Sequence, residues 1–173
     1  IGLGTREPTS EVARVLDRWV DGIVARVFSH DTLHSLAKNT SVPVINALSD
    51  IEHPCQAIGD LLTIYEYKGR FDGIRIAFIG DGNNVASSLA LACASVGADF
   101  TMSSPRNHQI PPLVWGKAKK RAAINNSQVG WVETPQSAVQ DADAVYTDVW
   151  VSMGQESERS NRPQEFADYQ VNE

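Results

Sequence analysis

The feature that most constrains the fold is an apolar run that ends in two glycines. Residues 73–84 read GIRIAFIGDGNN, and residues 85–99 continue as the small-residue segment VASSLALACASVGAD. A near-continuous apolar run is typical of a strand buried on both faces, and small residues let a helix pack closely on a sheet. The sequence therefore predicts a parallel α/β sheet with a tight strand-to-helix turn at Gly80 and Gly82.

Turn residues divide the rest of the chain into further strands and helices. Apolar runs at residues 22–28, 41–48, 99–105, 130–135 and 143–150 predict the remaining strands. A helix that begins at Pro54 and ends at Gly69 is interpreted as a bridge between two α/β halves, with the boundary near residues 69–73. We therefore expect an α/β fold of two three-layer, Rossmann-like domains with parallel sheets, at residues 1–70 and 71–173.

Two predicted helices carry apolar stripes that indicate a buried face. The expected N-cap of the first helix, over residues 11–20, is Thr9 or Ser10. The expected stripe residues are Val12, Val15, Leu16 and Trp19 in the first helix, and Ile58, Leu61, Leu62 and Tyr65 in the helix that begins at Pro54.

Charge and composition exclude several classes of function. With 15 basic and 21 acidic residues, the net charge is −6, which provides no general field for a nucleic-acid backbone. No run approaches the roughly 18 apolar residues of a membrane span. Cys55 and Cys93 lack the spacing of a disulfide framework or a zinc site, so we expect a cytoplasmic protein. The first residue is Ile1, which suggests a segment of a longer chain.

The glycine turn at residues 80–84 is the first candidate site. A dinucleotide fingerprint requires a third glycine and a later acidic residue, and both are absent here, so NAD binding is disfavoured. Asn84 follows a strand and is expected to face a crevice at the carboxyl end of the sheet. The structural alternative is a tight turn with an asparagine in left-handed geometry.

The sequence HPCQ at residues 53–56 is the second candidate. His53 and Gln56 lie three residues apart at a helix start, where free backbone N–H groups favour an anion or a carbonyl oxygen. A simple capping role for His53 is the alternative. Arg26, inside an apolar strand, must meet a ligand or an internal partner, for which Asp21 or Asp50 is available.

The third candidate is the segment DVWVSMGQE at residues 148–156. Asp148 leaves the end of an apolar strand, and Ser152 and Met153 follow in the loop, where open parallel sheets place ligand groups. A helix cap or a solvated loop is the alternative for Asp148.

Together, HPCQ, GDGNN and DxWxSMGxE, in this order, resemble the ornithine carbamoyltransferases of the aspartate/ornithine carbamoyltransferase family. The resemblance covers essentially the whole chain, and DxWxSMG is its more specific motif. It implies an enzyme without metal or organic cofactor that transfers the carbamoyl group from carbamoyl phosphate to the side-chain amine of L-ornithine, in arginine metabolism. It also implies a homotrimer, or a multiple of trimers, for the full-length protein.

The resemblance also implies roles for individual residues. Arg26 and His53 would be catalytic and, with Gln56, would bind carbamoyl phosphate. The residues implied to bind ornithine are Asn84, Asp148, Ser152 and Met153.

The chain departs from the family pattern at both ends. The Ser-Thr-Arg-Thr-Arg phosphate loop and the His-Cys-Leu-Pro motif are absent, so we expect an internal fragment that is inactive alone. A carbamoyltransferase for another amine, such as putrescine, is the principal alternative. An NAD-dependent oxidoreductase and a binding module on the same fold are more distant ones.

Overall fold

The computed structural model describes residues 3–151 and 162–172. The described strands are β1 (Ile23–Arg26), β2 (Val44–Leu48), β3 (Arg75–Ile79), β4 (Asp99–Ser103), β5 (Val129–Val132) and β6 (Ala144–Thr147). The described helices are α1 (Thr9–Leu16), α2 (His30–Lys38), α3 (Pro54–Lys68), α4 (Asn84–Val96), α5 (Pro112–Ile124), α6 (Pro135–Val139) and α7 (Arg162–Glu165). Short 3-10 turns lie at Arg106–His108 and Ala167–Tyr169.

The strands form two sheets, and every described pairing is parallel. Strands β1 and β2 pair with each other, and the other four lie in the order β5-β4-β3-β6. At the carboxyl end of β3, Ile79 lies between Ser103 of β4 and Thr147 of β6. The predicted α/β fold class with parallel sheets is therefore confirmed.

The larger sheet is covered on both faces. Phe78 and Phe100 point to one face and pack, fully buried, against α3, α4 and α5. Ala77 and Ile79 point to the other face, where they pack with Ala138 of α6. The small side chains of α4, which include the fully buried Cys93, allow the close helix-to-sheet packing predicted from the sequence.

The smaller sheet is covered by α1 and α2 on one face. Ala13, Leu33 and Leu36 pack there against Ile23 and Ala25 of β1. On the opposite face Val24 is 68 % exposed and Ile45 is 48 % exposed. One face of this sheet therefore remains accessible in the part of the chain that the structure describes.

The predicted N-cap of the first helix and part of its predicted stripe are wrong, although Leu16 packs against the core as expected. Thr9 lies inside α1, with Pro8 at the N-cap position, so neither Thr9 nor Ser10 is the N-cap. The buried residue of α1 is Ala13, whereas Trp19 lies beyond the helix end and is 78 % exposed. The short helix stops at Leu16, which places Trp19 outside the periodic stripe.

The predicted buried face of α3 also requires correction. The helix buries Ala57 and Leu61, and Ile64 packs beside them. Of the predicted stripe only Leu61 is buried; Ile58, Leu62 and Tyr65 are about half exposed or more. The helix ends at Gly69 as expected, with a left-handed φ of 69° that glycine adopts without steric cost.

Two further observations bear on function. None of the described helices is long and apolar enough to cross a membrane. Within the described ranges, no group of three or more His, Cys, Asp or Glu side chains could hold a metal ion.

Candidate active site

A cavity of about 340 Å³ lies where the carboxyl ends of the two sheets approach each other. The residues that line it come from both halves of the chain: Arg26, Leu48, His53, Gln56, Asn84, Val85, Tyr146, Asp148 and Val149. Five of the seven sequence-predicted site residues are therefore brought together. The other two, Ser152 and Met153, lie outside the described residues.

His53 occupies the N-cap position of α3, but its side chain makes no capping hydrogen bond. The capping alternative is therefore wrong. Burial, followed by the charge of Arg26, lowers the pKa of His53, while Asp60 and Asp148 oppose the shift. The lowered pKa favours the neutral form of the ring. Its Nδ1 atom is buried and has no hydrogen-bond partner among residues 3–151 and 162–172. Because an orphaned buried N–H is rare, we assign the proton to Nε2, which makes Nε2 a donor.

Arg26 ends strand β1, and its side chain is exposed at the cavity. Among the described residues no ion pair joins it to Asp21 or Asp50, so the predicted internal partners are not used. The pairing of β1 with β2 shifts register between Ala25 and Arg26, which changes the local direction of the strand at this residue. The guanidinium is therefore a donor group available to an anionic or carbonyl ligand.

Asn83 and Asn84 have different roles at the start of α4. Asn83 is the N-cap, since its Oδ1 accepts from the N–H groups of Val85 and Ala86 at 3.0 Å. Asn84 lines the cavity and donates from Nδ2 to the carbonyl oxygen of Ser49 at 2.7 Å. Neither asparagine has a positive φ, so the left-handed alternative is wrong.

Asp148 directly follows β6, as predicted, and its carboxylate is held by neighbouring groups. Asn83 donates from Nδ2 to Asp148 Oδ2 at 2.8 Å, and the N–H of Val149 donates to Oδ1 at 2.8 Å. The helix cap of α4 therefore also orients this carboxylate. Asn83 was missed from the sequence, although an asparagine before an apolar helix is the ordinary signal of an N-cap.

Two hydrogen bonds tie the halves of the site together. The backbone N–H of His53 donates to Ser88 Oγ of α4 at 2.8 Å, and Asn84 reaches back to Ser49. Ser49 and Ser88 are buried. Neither serine was predicted, because an isolated serine carries no sequence signal of a contact 35 positions away.

Behind the site, a buried ion pair fixes the loop that follows β3. Arg162 donates to Asp81 Oδ2 at 2.7 Å and to the carbonyl oxygen of Trp150 at 2.6 Å. Nδ1 of His108 lies 3.4 Å from the other carboxylate oxygen, Asp81 Oδ1. The neighbouring Gly82 is required by space, since a Cβ there would lie 2.3 Å from the backbone of Gln109 and Ile110.

These contacts define a class of protein. It is a parallel α/β protein in which one half supplies donors, Arg26 and His53, and the other supplies a carboxylate, Asp148, to a shared cavity. Such a site suits two ligands, one electron-rich and one cationic.

Comparison with known proteins gives the family. The carbamoyl-P binding domain of aspartate/ornithine carbamoyltransferase matches residues 1–66, and the Asp/Orn binding domain matches residues 72–173. The chain belongs to the aspartate/ornithine carbamoyltransferase family.

Individual relatives agree with this assignment. The chain is 49 % identical over 171 residues to an ornithine carbamoyltransferase of Acidothermus cellulolyticus, covering 99 % of this chain and 55 % of the relative. The corresponding enzyme of Methanopyrus kandleri is 48 % identical, with 99 % and 54 % covered. The solved ornithine carbamoyltransferase of Pyrococcus furiosus superposes with a TM-score of 0.95 at 44 % identity, covering 100 % of this chain and 55 % of that one. The chain thus spans about half the length of these relatives.

Proposed function

We propose that the protein containing this chain transfers the carbamoyl group of carbamoyl phosphate to the side-chain amine of L-ornithine, which gives L-citrulline and phosphate. The observation that carries the proposal is the cavity in which Arg26, His53 and Gln56 from one half face Asn84 and Asp148 from the other. The identity of 48–49 % to relatives named ornithine carbamoyltransferase supports it.

Carbamoyl phosphate would occupy the side of the cavity that carries the donors. When the deprotonated amine attacks the carbamoyl carbon, the C–N bond forms and negative charge builds on the carbonyl oxygen. This charge is lost when the carbonyl re-forms, the C–O bond to phosphate breaks and the nitrogen gives up a proton. The guanidinium of Arg26 and the neutral His53 ring, which donates from Nε2, would stabilise that charge. One preorganised donor of this kind is worth about 3–4 kcal/mol of barrier.

Ornithine would occupy the side that carries the acceptors. Asp148 would attract the α-ammonium group, and its fixed orientation on Asn83 limits the positions that this group can take. Because Nδ2 of Asn84 is engaged with Ser49, its Oδ1 is the atom presented as an acceptor. Ser152 and Met153 are proposed as further ornithine contacts.

We also propose the domain boundary, the metabolic role, the assembly and the location of the full-length protein. Residues 1–70 would form the end of the carbamoyl-phosphate domain and residues 71–173 most of the ornithine domain. The left-handed glycines Gly69 and Gly73 support a boundary between α3 and β3. A role in arginine metabolism and a trimeric assembly are proposed for the full-length protein. The free thiols of Cys55 and Cys93 support a cytoplasmic location.

The test is a citrulline assay on the full-length protein, with carbamoyl phosphate and ornithine. Wild type is compared with Asp148→Ala and Asp148→Asn, of which the second keeps an acceptor oxygen and removes the charge. We expect both variants to lose roughly 10- to 100-fold in kcat/KM for ornithine, the value of a hydrogen bond to a charged group.

Putrescine, which lacks the α-ammonium and α-carboxylate groups, serves as the second acceptor. If ornithine is the preferred acceptor and only its turnover depends on Asp148, the proposal and the role of Asp148 both stand. A preference for putrescine would favour the principal alternative, and indifference of ornithine turnover to both substitutions would remove the role of Asp148.

A further inference from the structure

Asp60 fixes the direction of an amide at the edge of the cavity. Gln56 and Asp60 lie one turn apart on α3, and Gln56 donates from Nε2 to Asp60 Oδ1 at 2.9 Å. A carboxylate accepts hydrogen bonds and donates none, so the amide nitrogen, rather than the amide oxygen, must face Asp60. Oε1 of Gln56 is therefore the atom left for a ligand.

An amide held in this direction selects the kind of group that it contacts. Gln56 lines the cavity, and its free atom is an acceptor, so a ligand group next to it must be a donor. The amino group of a carbamoyl ligand is such a donor. The methyl group of an acetyl ligand has nearly the same size and donates nothing.

We propose that Asp60 is a positioning residue that holds the Gln56 amide with its oxygen toward the cavity and thereby selects a carbamoyl over an acetyl donor substrate. The inference rests on the proposed function, because it assigns a specificity determinant to the same site. Asp60 itself does not line the cavity and acts through Gln56.

The Gln56–Asp60 pair differs from an ordinary surface pair on a helix in the surroundings of Asp60. Its second oxygen, Oδ2, is buried and has no hydrogen-bond partner among the described residues. The phenol of Tyr146, on β6, lies near enough that burial, and then the charge of Asp60, raise the pKa of Tyr146 to about 12. Asp60 is thus in contact with both walls of the cavity, since Tyr146 lines it from the other half.

Asparagine is the neutral residue closest in shape to aspartate, so Asp60→Asn changes the hydrogen-bonding character of this position with little change in packing. Asparagine at position 60 could offer either its oxygen or its nitrogen to Gln56. The Gln56 amide would then populate both directions, and its preference for a donor ligand would weaken.

The experiment uses the full-length protein and two phosphate ligands. For wild type and Asp60→Asn we would measure kcat/KM for carbamoyl phosphate at saturating ornithine, and the inhibition constant of acetyl phosphate in the same assay. We expect kcat/KM for carbamoyl phosphate to fall about tenfold, as for one lost hydrogen bond, while the inhibition constant of acetyl phosphate changes less than about threefold.

Two further variants serve as controls. Asp60→Glu keeps an acceptor-only side chain and should retain more of the selectivity than Asp60→Asn does. Glu66→Gln removes an exposed carboxylate from the same helix, away from the cavity, and should leave both constants unchanged. If Asp60→Asn fails to fold, Asp60→Ser is measured instead, because a hydroxyl can also donate or accept.

The outcomes separate this inference from the proposed function. If wild type makes citrulline and Asp60→Asn keeps the ratio of the two constants within twofold, the positioning role is wrong and the proposed function stands. An equal loss for both ligands would likewise assign Asp60 a structural role only. If wild type makes no citrulline, the proposed function fails, and the inference fails with it.

Discussion

The two sheets of this protein differ in how completely they are covered, although both supply residues to the same cavity. In the larger sheet Phe78 is fully buried, with helices on both faces. In the smaller sheet one face is exposed, and Phe28, just after β1, is 55 % exposed. Asn84 and Asp148 are therefore positioned by a packed core, whereas Arg26 is positioned mainly by the local pairing of β1 with β2. One side of the cavity is therefore positioned by core packing, and the other side is positioned by local backbone geometry.

The largest expected difference comes from truncating one phenylalanine in each half. Phe78→Ala removes a fully buried ring and should lower the free energy of unfolding by about 3–5 kcal/mol. Phe28→Ala should cost less than about 1 kcal/mol because its ring remains largely in water. Urea denaturation followed by circular dichroism measures both. Equal losses would mean that Phe28 is covered in the protein in solution, and the proposed difference in coverage between the two sheets would be wrong.

Adjacent leucines on α3 test the corrected buried face of that helix. Leu61 is 7 % exposed and Leu62 is 56 % exposed. Leu61→Ala should lower the free energy of unfolding by about 2–5 kcal/mol, and Leu62→Ala should lower it by less than about 1 kcal/mol. Chemical denaturation of the two variants gives the comparison. A larger loss at Leu62 would restore the face predicted from the sequence.

Two glycines in the larger half should respond in opposite directions to the same substitution. Gly82→Ala places a Cβ 2.3 Å from the backbone of Gln109 and Ile110, so we expect a destabilisation of about 1–3 kcal/mol. Gly116→Ala, inside α5, meets no atom of the described part of the chain within 4 Å. It should stabilise by about 0.5–1 kcal/mol through the better helix propensity of alanine. Thermal melting measures both, and a neutral Gly82→Ala would show that the two loops can separate.

The smallest effect is the pH dependence contributed by His53. Because its pKa is lower in the folded protein, its contribution to stability is complete above the ordinary histidine pKa and is lost as the pH falls through the folded value. Wild type should therefore lose more stability than His53→Gln when the pH is lowered from about 7.5 to 5. Urea titrations at both pH values measure the difference.

The same substitution at the exposed His34 controls for the loss of an imidazole ring. An identical slope in wild type and His53→Gln would mean that the lowered pKa of His53 does not contribute to folding.

Much of the fold could be predicted because its signals are local. The strand at Arg75–Ile79, the glycine end of α3 and the small-residue helix α4 each follow from neighbouring residues. The polar residues at strand ends could be predicted for the same reason, since parallel strands carry their carboxyl ends to one edge. The convergence of Arg26, His53, Gln56, Asn84 and Asp148 on one cavity agrees with that expectation.

Other features could not be predicted because they depend on contacts between distant residues. Nothing local to Asp81 indicates that Arg162 will neutralise it 81 positions later. Asn83 and Asn84 look alike in the sequence, and only the helix start decides which one caps and which one faces the cavity.

The sequence by itself determined the order of strands and helices, the family and most of the residues at the cavity, because propensity, turn chemistry and motifs act over a few positions. Tertiary structure alone decided which apolar face of α1 and α3 is buried, since periodicity defines a face without naming its partner. It also decided the direction of the Gln56 amide, because a hydrogen-bonded side chain takes its orientation from the groups that the fold places around it.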